Sequence, residues 1–248
     1  MRSLLSSCRG RHSGAFRNVG TMKSSLALFS FCLPAILAFN LLAAEPTLRI
    51  GSLPGDLSVL NSPVTIRTEP DGRLFIAAPG ETNLFNHPNG KSAVQNAPMA
   101  LFEPADDFVL KARVSGQLKN VYDVAALVIY QDGTTWAKLC YENSVAKEPT
   151  VVSVVTRDVS DDCNSQTIAA DHAYLAIVRK GPVFTFHYSP DGKTWRMVRH
   201  FNLNTTGKLK AGFAVHAWRA ESFAATFSEI TYTEKTPDNI TNLNPVAK

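Results

Sequence analysis

Short segments of alternating apolar and polar residues recur about every ten positions along most of this 248-residue chain, and that rhythm leaves few folds open. They fall at 64–68, 73–78, 108–114, 124–130, 136–142, 151–157, 174–179, 183–188, 195–201, 211–218 and 223–232. Val, Ile, Phe, Tyr and Thr dominate them, and a period of two puts successive side chains on opposite faces of a strand. The connectors carry Asp71-Gly72, Asn89-Gly90, Asp132-Gly133 and Asp191-Gly192, pairs that tolerate the positive φ of tight hairpin turns. No stretch holds a helical period. An all-β fold of two packed antiparallel sheets is therefore expected, with one domain over 45–234 and a loose polar tail over 235–248.

The first 44 residues differ from the rest. They hold five basic residues (Arg2, Arg9, Arg11, Arg17 and Lys23) and no acid, followed by an apolar run over 26–42 that ends in Ala43-Ala44. A basic start, an apolar centre and a small-residue end describe a signal peptide, so a secreted or periplasmic protein is expected. Met22, just before Lys23, offers an alternative start. A retained membrane anchor is the rival reading, but a run of 17 residues that includes Pro34 and Asn40 is short for a bilayer span. Phe31 before Cys32 is too bulky for a lipoprotein signal.

The leader also accounts for the basic balance. The whole chain has 25 basic and 21 acidic residues, and after Ala44 the count is 20 against 21. A nearly neutral domain lacks the clustered basic face that nucleic-acid binding requires. With the leader removed, no membrane segment remains to be expected.

Strand parity sorts side chains between the core and the opposite face. The 136–142 and 151–157 segments are expected to form a hairpin with Glu142 opposite Val151 and Trp136 opposite Arg157. Ala137, Leu139 and Tyr141 then point inward with Val152 and Val154, while Cys140 faces Ser153. That register keeps Cys140 from Cys163, so no disulfide is expected. Later segments place Phe184, Phe186, Tyr188, Phe213 and Val215 inward. The face away from the core then collects Trp136, Lys138, Glu142, Arg157, His187, His216 and Trp218.

Three stretches carry a family resemblance: the run from Asp123 to Glu142 (Asp-Val-Ala-Ala-Leu-Val-Ile-Tyr-Gln-Asp-Gly-Thr-Thr-Trp-Ala-Lys-Leu-Cys-Tyr-Glu), the run from Val151 to Arg157, and Phe186-His-Tyr-Ser-Pro-Asp-Gly-Lys-Thr-Trp195. They resemble the bacterial domains of unknown function labelled "regulation of enolase protein", of the concanavalin A-like superfamily. They are also similar to the β-sandwich at the C-terminus of some β-xylosidases. The resemblance spans about Gly72 to Tyr232 and implies a jelly roll with one concave face, but no established reaction. Thr82-Asn83-Leu84-Phe85, Cys140 and the segment after Arg157 depart from the family pattern, which weighs against its usual aromatic platform.

On these residues the expected function is non-catalytic binding of a polysaccharide or oligosaccharide through the concave face. Trp136 and Arg157 would stack a sugar or only each other, a cation–π pair of about 0.5–1 kcal/mol. Lys138, Glu142 and Arg157 would form an ionic network that orients a ligand or only neutralises itself. Between two cations, Glu142 is expected to have a low pKa. Two histidines, His187 and His216, fall short of a metal-ligand set, so neither metal nor cofactor is expected. Asp106-Asp107 and Asp161-Asp162 read as solvated loop pairs. A polysaccharide lyase or hydrolase using Glu142 is the alternative, and a protein-interaction domain using an apolar patch on the convex sheet is the third reading.

Overall fold

Sixteen strands in a computed structural model account for nearly every turn signal, and the structure describes residues 47–245. The leader expected over 1–44 lies outside the described residues. The strands are β1 (Ser58–Leu60), β2 (Thr65–Thr68), β3 (Leu74–Pro79), β4 (Leu84–Asn86), β5 (Ala93–Gln95), β6 (Met99–Phe102), β7 (Phe108–Gly116) and β8 (Asp123–Tyr130). They continue as β9 (Thr135–Asn143), β10 (Pro149–Arg157), β11 (Val159–Thr167), β12 (His172–Lys180), β13 (Val183–Ser189), β14 (Arg196–Asn202), β15 (Lys210–Ala217) and β16 (Ser222–Thr233).

Two antiparallel sheets of seven strands form a jelly-roll sandwich. The first runs β1-β6-β15-β8-β9-β10-β11, the second β14-β13-β12-β7-β16-β3-β2, and β4 and β5 make a separate hairpin. The core between the sheets takes one parity from each strand. Leu127, Leu139, Phe213 and Val215 from the first meet Leu110, Ile177, Phe186 and Phe227 from the second. Phe213 and Phe227 touch across the gap with ring centroids 5.0 Å apart. The alternation of the strands thus becomes one continuous apolar layer.

β8, β9 and β10 are buried on both faces along almost their whole length. Their outer apolar parity, including Trp136, Cys140, Val152 and Val154, packs beneath Leu84 of the β4–β5 hairpin. Asn86 fastens that hairpin: its Nδ2 donates to the carbonyls of Gly133 and Asp158 at 2.9 and 2.8 Å. Its backbone N–H donates to Ser160 Oγ at 2.9 Å. Gln95 Nε2 donates to Asn86 Oδ1 and to the Gly133 carbonyl. The glycine of the Asp132-Gly133 turn makes room for this contact, because a Cβ there would push the Gln95 amide out of its place.

The structure corrects three expectations. The β9–β10 hairpin is slipped by one residue from the expected register, pairing Glu142 with Thr150, Cys140 with Val152 and Trp136 with Thr156. A tight loop over 144–148, closed by Ser144 N–H to the Glu148 carbonyl and with Lys147 at φ 61°, carries the pairing through Asn143 and Pro149. The slip reverses the parity of β10: Val151 and Val155 enter the core between the sheets, and Val152 and Val154 face outward. Second, Asp161 and Asp162 lie in the edge strand β11 and not in a loop. Its polar sequence suits an exposed edge, where charge blocks pairing with other chains.

The third correction concerns the tail. Within the described residues it docks on the outer face of the second sheet, where Ile240 packs against Val109 and Val178. Thr185 Oγ1 donates to the Ile240 carbonyl at 2.9 Å. Asn244 exchanges two hydrogen bonds with the backbone of Trp195. The two cysteines among the described residues are free, Cys140 buried and Cys163 exposed. Cys163 pairs with Ser153, whose β9 neighbour is Leu139, so the two thiols sit on opposite faces of the sheet.

Candidate functional site

Three rows of side chains cross the outer face of the first sheet. One runs His216, Val124, Glu142, Thr150; the next Ala214, Ala126, Cys140, Val152; the third Gly212, Val128, Lys138, Val154, Asp162. The middle row is small, while its neighbours carry long polar side chains. The surface therefore dips between them. The result is a cleft of about 420 Å³.

Its walls come from two places. The β4–β5 hairpin contributes Phe85 and Val94, and the chain before β8 and after β15 contributes Tyr122, Trp218 and Arg219. The Trp218 N–H bonds the Tyr122 carbonyl at 3.4 Å, which ties the two aromatic segments together at one end. Both rings are half-exposed at the mouth. The Arg219 guanidinium lies 5.9 Å from the Trp218 ring centroid. The β4–β5 hairpin thus roofs part of the face and leaves the rest open.

The polar base is formed by Lys138, His216 and Glu142, which are 3%, 2% and 8% exposed. Lys138 Nζ donates to His216 Nε2 at 3.1 Å. Burial, reinforced by the Lys138 charge, holds His216 well below the usual imidazole range, so its ring is neutral and accepts through Nε2. The proton then sits on Nδ1, which is buried and has no hydrogen-bond partner among the described residues. Glu142 is pushed up to about 7 by burial, against the pull of Lys138 and with a further push from Asp162. This reverses the low pKa expected for it. Its supposed second cation, Arg157, is not there, and desolvation outweighs the one that is. Cys140, between them on β9, is pushed up to about 12 by burial and is an inert thiol.

Of the seven residues expected on one face, four line this cleft: Lys138, Glu142, His216 and Trp218. Trp136 is on the same face but fully buried beneath the hairpin, with Lys138 Nζ 5.8 Å from its ring centroid. Arg157 is carried to the other parity by the register slip, and its Nη1 donates to the Asn202 carbonyl at 2.5 Å. The Trp136–Arg157 stack therefore does not form. His187 belongs to the second sheet. It is buried under the tail, where its Nε2 lies 2.9 Å from the Ile240 carbonyl, and burial pushes it down to about 4. His187 and His216 are on different sheets, and among the described residues no three His, Cys, Asp or Glu side chains gather as a metal site.

Sequence reasoning missed Phe85, Tyr122, Asp162 and Arg219. Tyr122 directly precedes β8 at φ 67°, and Arg219 lies just past β15. Neither is covered by strand parity. The position of Asp162 would have followed from reading β11 as an edge strand.

Residues 59–235 match the family model described as "Protein of unknown function (DUF1349)". Among solved structures, a functionally unknown protein from Saccharomyces cerevisiae is 22% identical with a TM-score of 0.68, covering 73% of this chain and 97% of that one. The GH43 protein BlXynB from Bacillus licheniformis is 16% identical with a TM-score of 0.55, covering 66% of this chain and 33% of that one. A xylan β-1,4-xylosidase from Bacillus halodurans is 15% identical with a TM-score of 0.52, covering 64% of this chain and 32% of that one. This chain thus spans about a third of the two glycosidase chains, and at these identities the likeness concerns the fold. No curated protein is similar enough in sequence to count as a relative.

Proposed function

We infer, from the premise that this chain belongs to the family described as Protein of unknown function (DUF1349), that it is a saccharide-binding module whose ligand lies in the cleft on the outer face of the first sheet. One observation carries the reading: the cleft combines half-exposed aromatic faces at its mouth with buried polar groups at its base. Trp218 and Tyr122 would stack on the apolar face of a sugar ring, and Lys138 and Glu142 would bond its hydroxyls. The fold likeness to the GH43 structures and the concanavalin A-like resemblance of the central motif support a carbohydrate. Export belongs to the same reading and is supported by the basic and apolar pattern of residues 1–44.

The test is calorimetric titration with neutral and acidic plant and microbial oligosaccharides. Saturable binding to at least one is expected, weakened roughly tenfold or more in Trp218→Ala, since truncating an aromatic anchor of a binding site costs about 2 kcal/mol. Absence of binding to all of them overturns the reading.

A second reading, acid–base cleavage of a saccharide, is favoured by the presence of Glu142 and Asp162 in one cleft. It predicts release of products that stops in both Glu142→Gln and Asp162→Asn. The apolar docking patch of the third reading loses support, since the tail covers Val109 and Val178 on the outer face of the second sheet.

A further inference from the structure

We propose that the cleft selects saccharides bearing a carboxylate, that is, uronate residues, and that Lys138 is the anchor for that carboxylate. The inference rests on the saccharide-binding reading and adds the ligand's charge.

Lys138 is an ammonium at the base of the cleft with 3% of its surface exposed. Its one hydrogen-bond partner among the described residues is the neutral His216, at 3.1 Å. The ion pairs among the described residues are elsewhere, between partners such as Arg199 with Asp161 at the sheet edge and Arg73 with Asp71 in a turn. Among the described residues no carboxylate stands within 4.0 Å of Lys138. A buried charge without an opposite charge is costly, and natural proteins rarely keep one idle.

Two acids share the cleft, and neither neutralises it. Glu142 is four residues along the same strand, roughly 13 Å from Lys138 at the backbone. Burial holds it close to protonation at neutral pH. A protonated Glu142 donates a hydrogen bond and does not repel an anion. Asp162 stands in the same cross-strand row as Lys138, two strands away on the exposed edge. Arg219 at the mouth adds a second cation beside the Trp218 ring. Aromatic faces at the mouth and an unneutralised ammonium at the base together suit a ring that carries an acid group.

The probe pair is tetragalacturonate and the same oligosaccharide with its carboxyls reduced to alcohols, titrated at pH 6 against the full chain. A charge-assisted hydrogen bond corresponds to roughly ten- to a hundred-fold preference for the acid form. Raising the salt concentration should diminish that preference. Lys138→Met, which keeps much of the side-chain volume, should bring the ratio of the two affinities towards one. Equal affinity of wild type for both forms overturns this inference and leaves the saccharide-binding reading intact. Binding of neither here or of any other oligosaccharide overturns both. A sulfated galactan oligomer of equal length binding as tightly as the uronate overturns the assignment to a carboxylate. A folded Lys138→Met that keeps the preference removes Lys138 as the anchor. If that variant does not fold, the contrast between the two ligands on the wild type still decides the ligand class.

Discussion

Glu142, His216 and His187 titrate in the folded domain far from where they titrate in an unfolded chain, so each leaves a mark on stability. Glu142 rises from 4.5 to about 7 because burial disfavours its charge. Between those two pH values the folded state holds a proton the unfolded chain has lost, so this group's contribution is present at low pH and is lost as pH rises through 7. The size is at most roughly 3 kcal/mol. The histidines act with the opposite sign. His187 falls from 6.5 to about 4 and His216 lies well below 6.5, both through burial, so their contributions are complete above 6.5 and are lost on acidification. Glu142→Gln removes the first effect alone. Its melting temperature relative to wild type is expected to climb by several degrees from pH 5 to pH 8. A constant difference across that range would contradict the burial of a titrating Glu142.

At the scale of elements, the β4–β5 hairpin makes one face of the first sheet into a cleft. It buries Trp136 and Leu84 and presents Phe85 and Val94 as a wall. Asn86 carries most of its attachment, through hydrogen bonds to Gly133, Asp158, Ser160 and Gln95. Asn86→Ala is expected to cost about 2–3 kcal/mol, because it leaves buried acceptors unpaired. It should also loosen the roof over Trp136, read as increased acrylamide quenching of tryptophan fluorescence at a temperature where the domain remains folded. Unchanged quenching would mean that Leu84 alone holds the hairpin. This element was only half legible in the sequence. The Asn89-Gly90 turn was visible, but three-residue strands with few apolar positions leave almost no periodic signal. The register of β9 and β10 was misread for a related reason. Val151, Val152, Val154 and Val155 are apolar at both parities, since both faces of β10 are buried, so the pattern could not choose between them.

At the scale of the whole molecule, the two seven-stranded sheets depend on the apolar layer between them. Phe213 from the first sheet is fully buried against Phe227 from the second. Phe213→Ala is expected to destabilise the domain by about 3–5 kcal/mol. In a domain of this size that lowers the melting temperature by roughly 10 °C. Calorimetry would check it, and a loss below 1 kcal/mol would mean that the layer collapses around the deleted ring. The outer faces have different roles. On the second sheet the tail covers Val109, Val178 and His187, and on the first the hairpin leaves a cleft open.

The strand rhythm, the Asp-Gly and Asn-Gly turns and the inward parity of Phe184, Phe186, Phe213 and Val215 were determined by the sequence alone, because alternation and turn chemistry are local. The outward parity of Lys138, Glu142 and His216 was legible for the same reason, whereas their gathering in one cleft needed β9 and β15 to join one sheet. Their separation from Arg157 and His187 was decided only in the tertiary structure, because it depends on one residue of register and on which sheet a strand joins. Burial also reversed the expected charge behaviour of Glu142, since desolvation depends on what covers a residue and not on its neighbours in the chain. The outward face first read from strand parity is, in the folded chain, a cleft with a buried ammonium at its base.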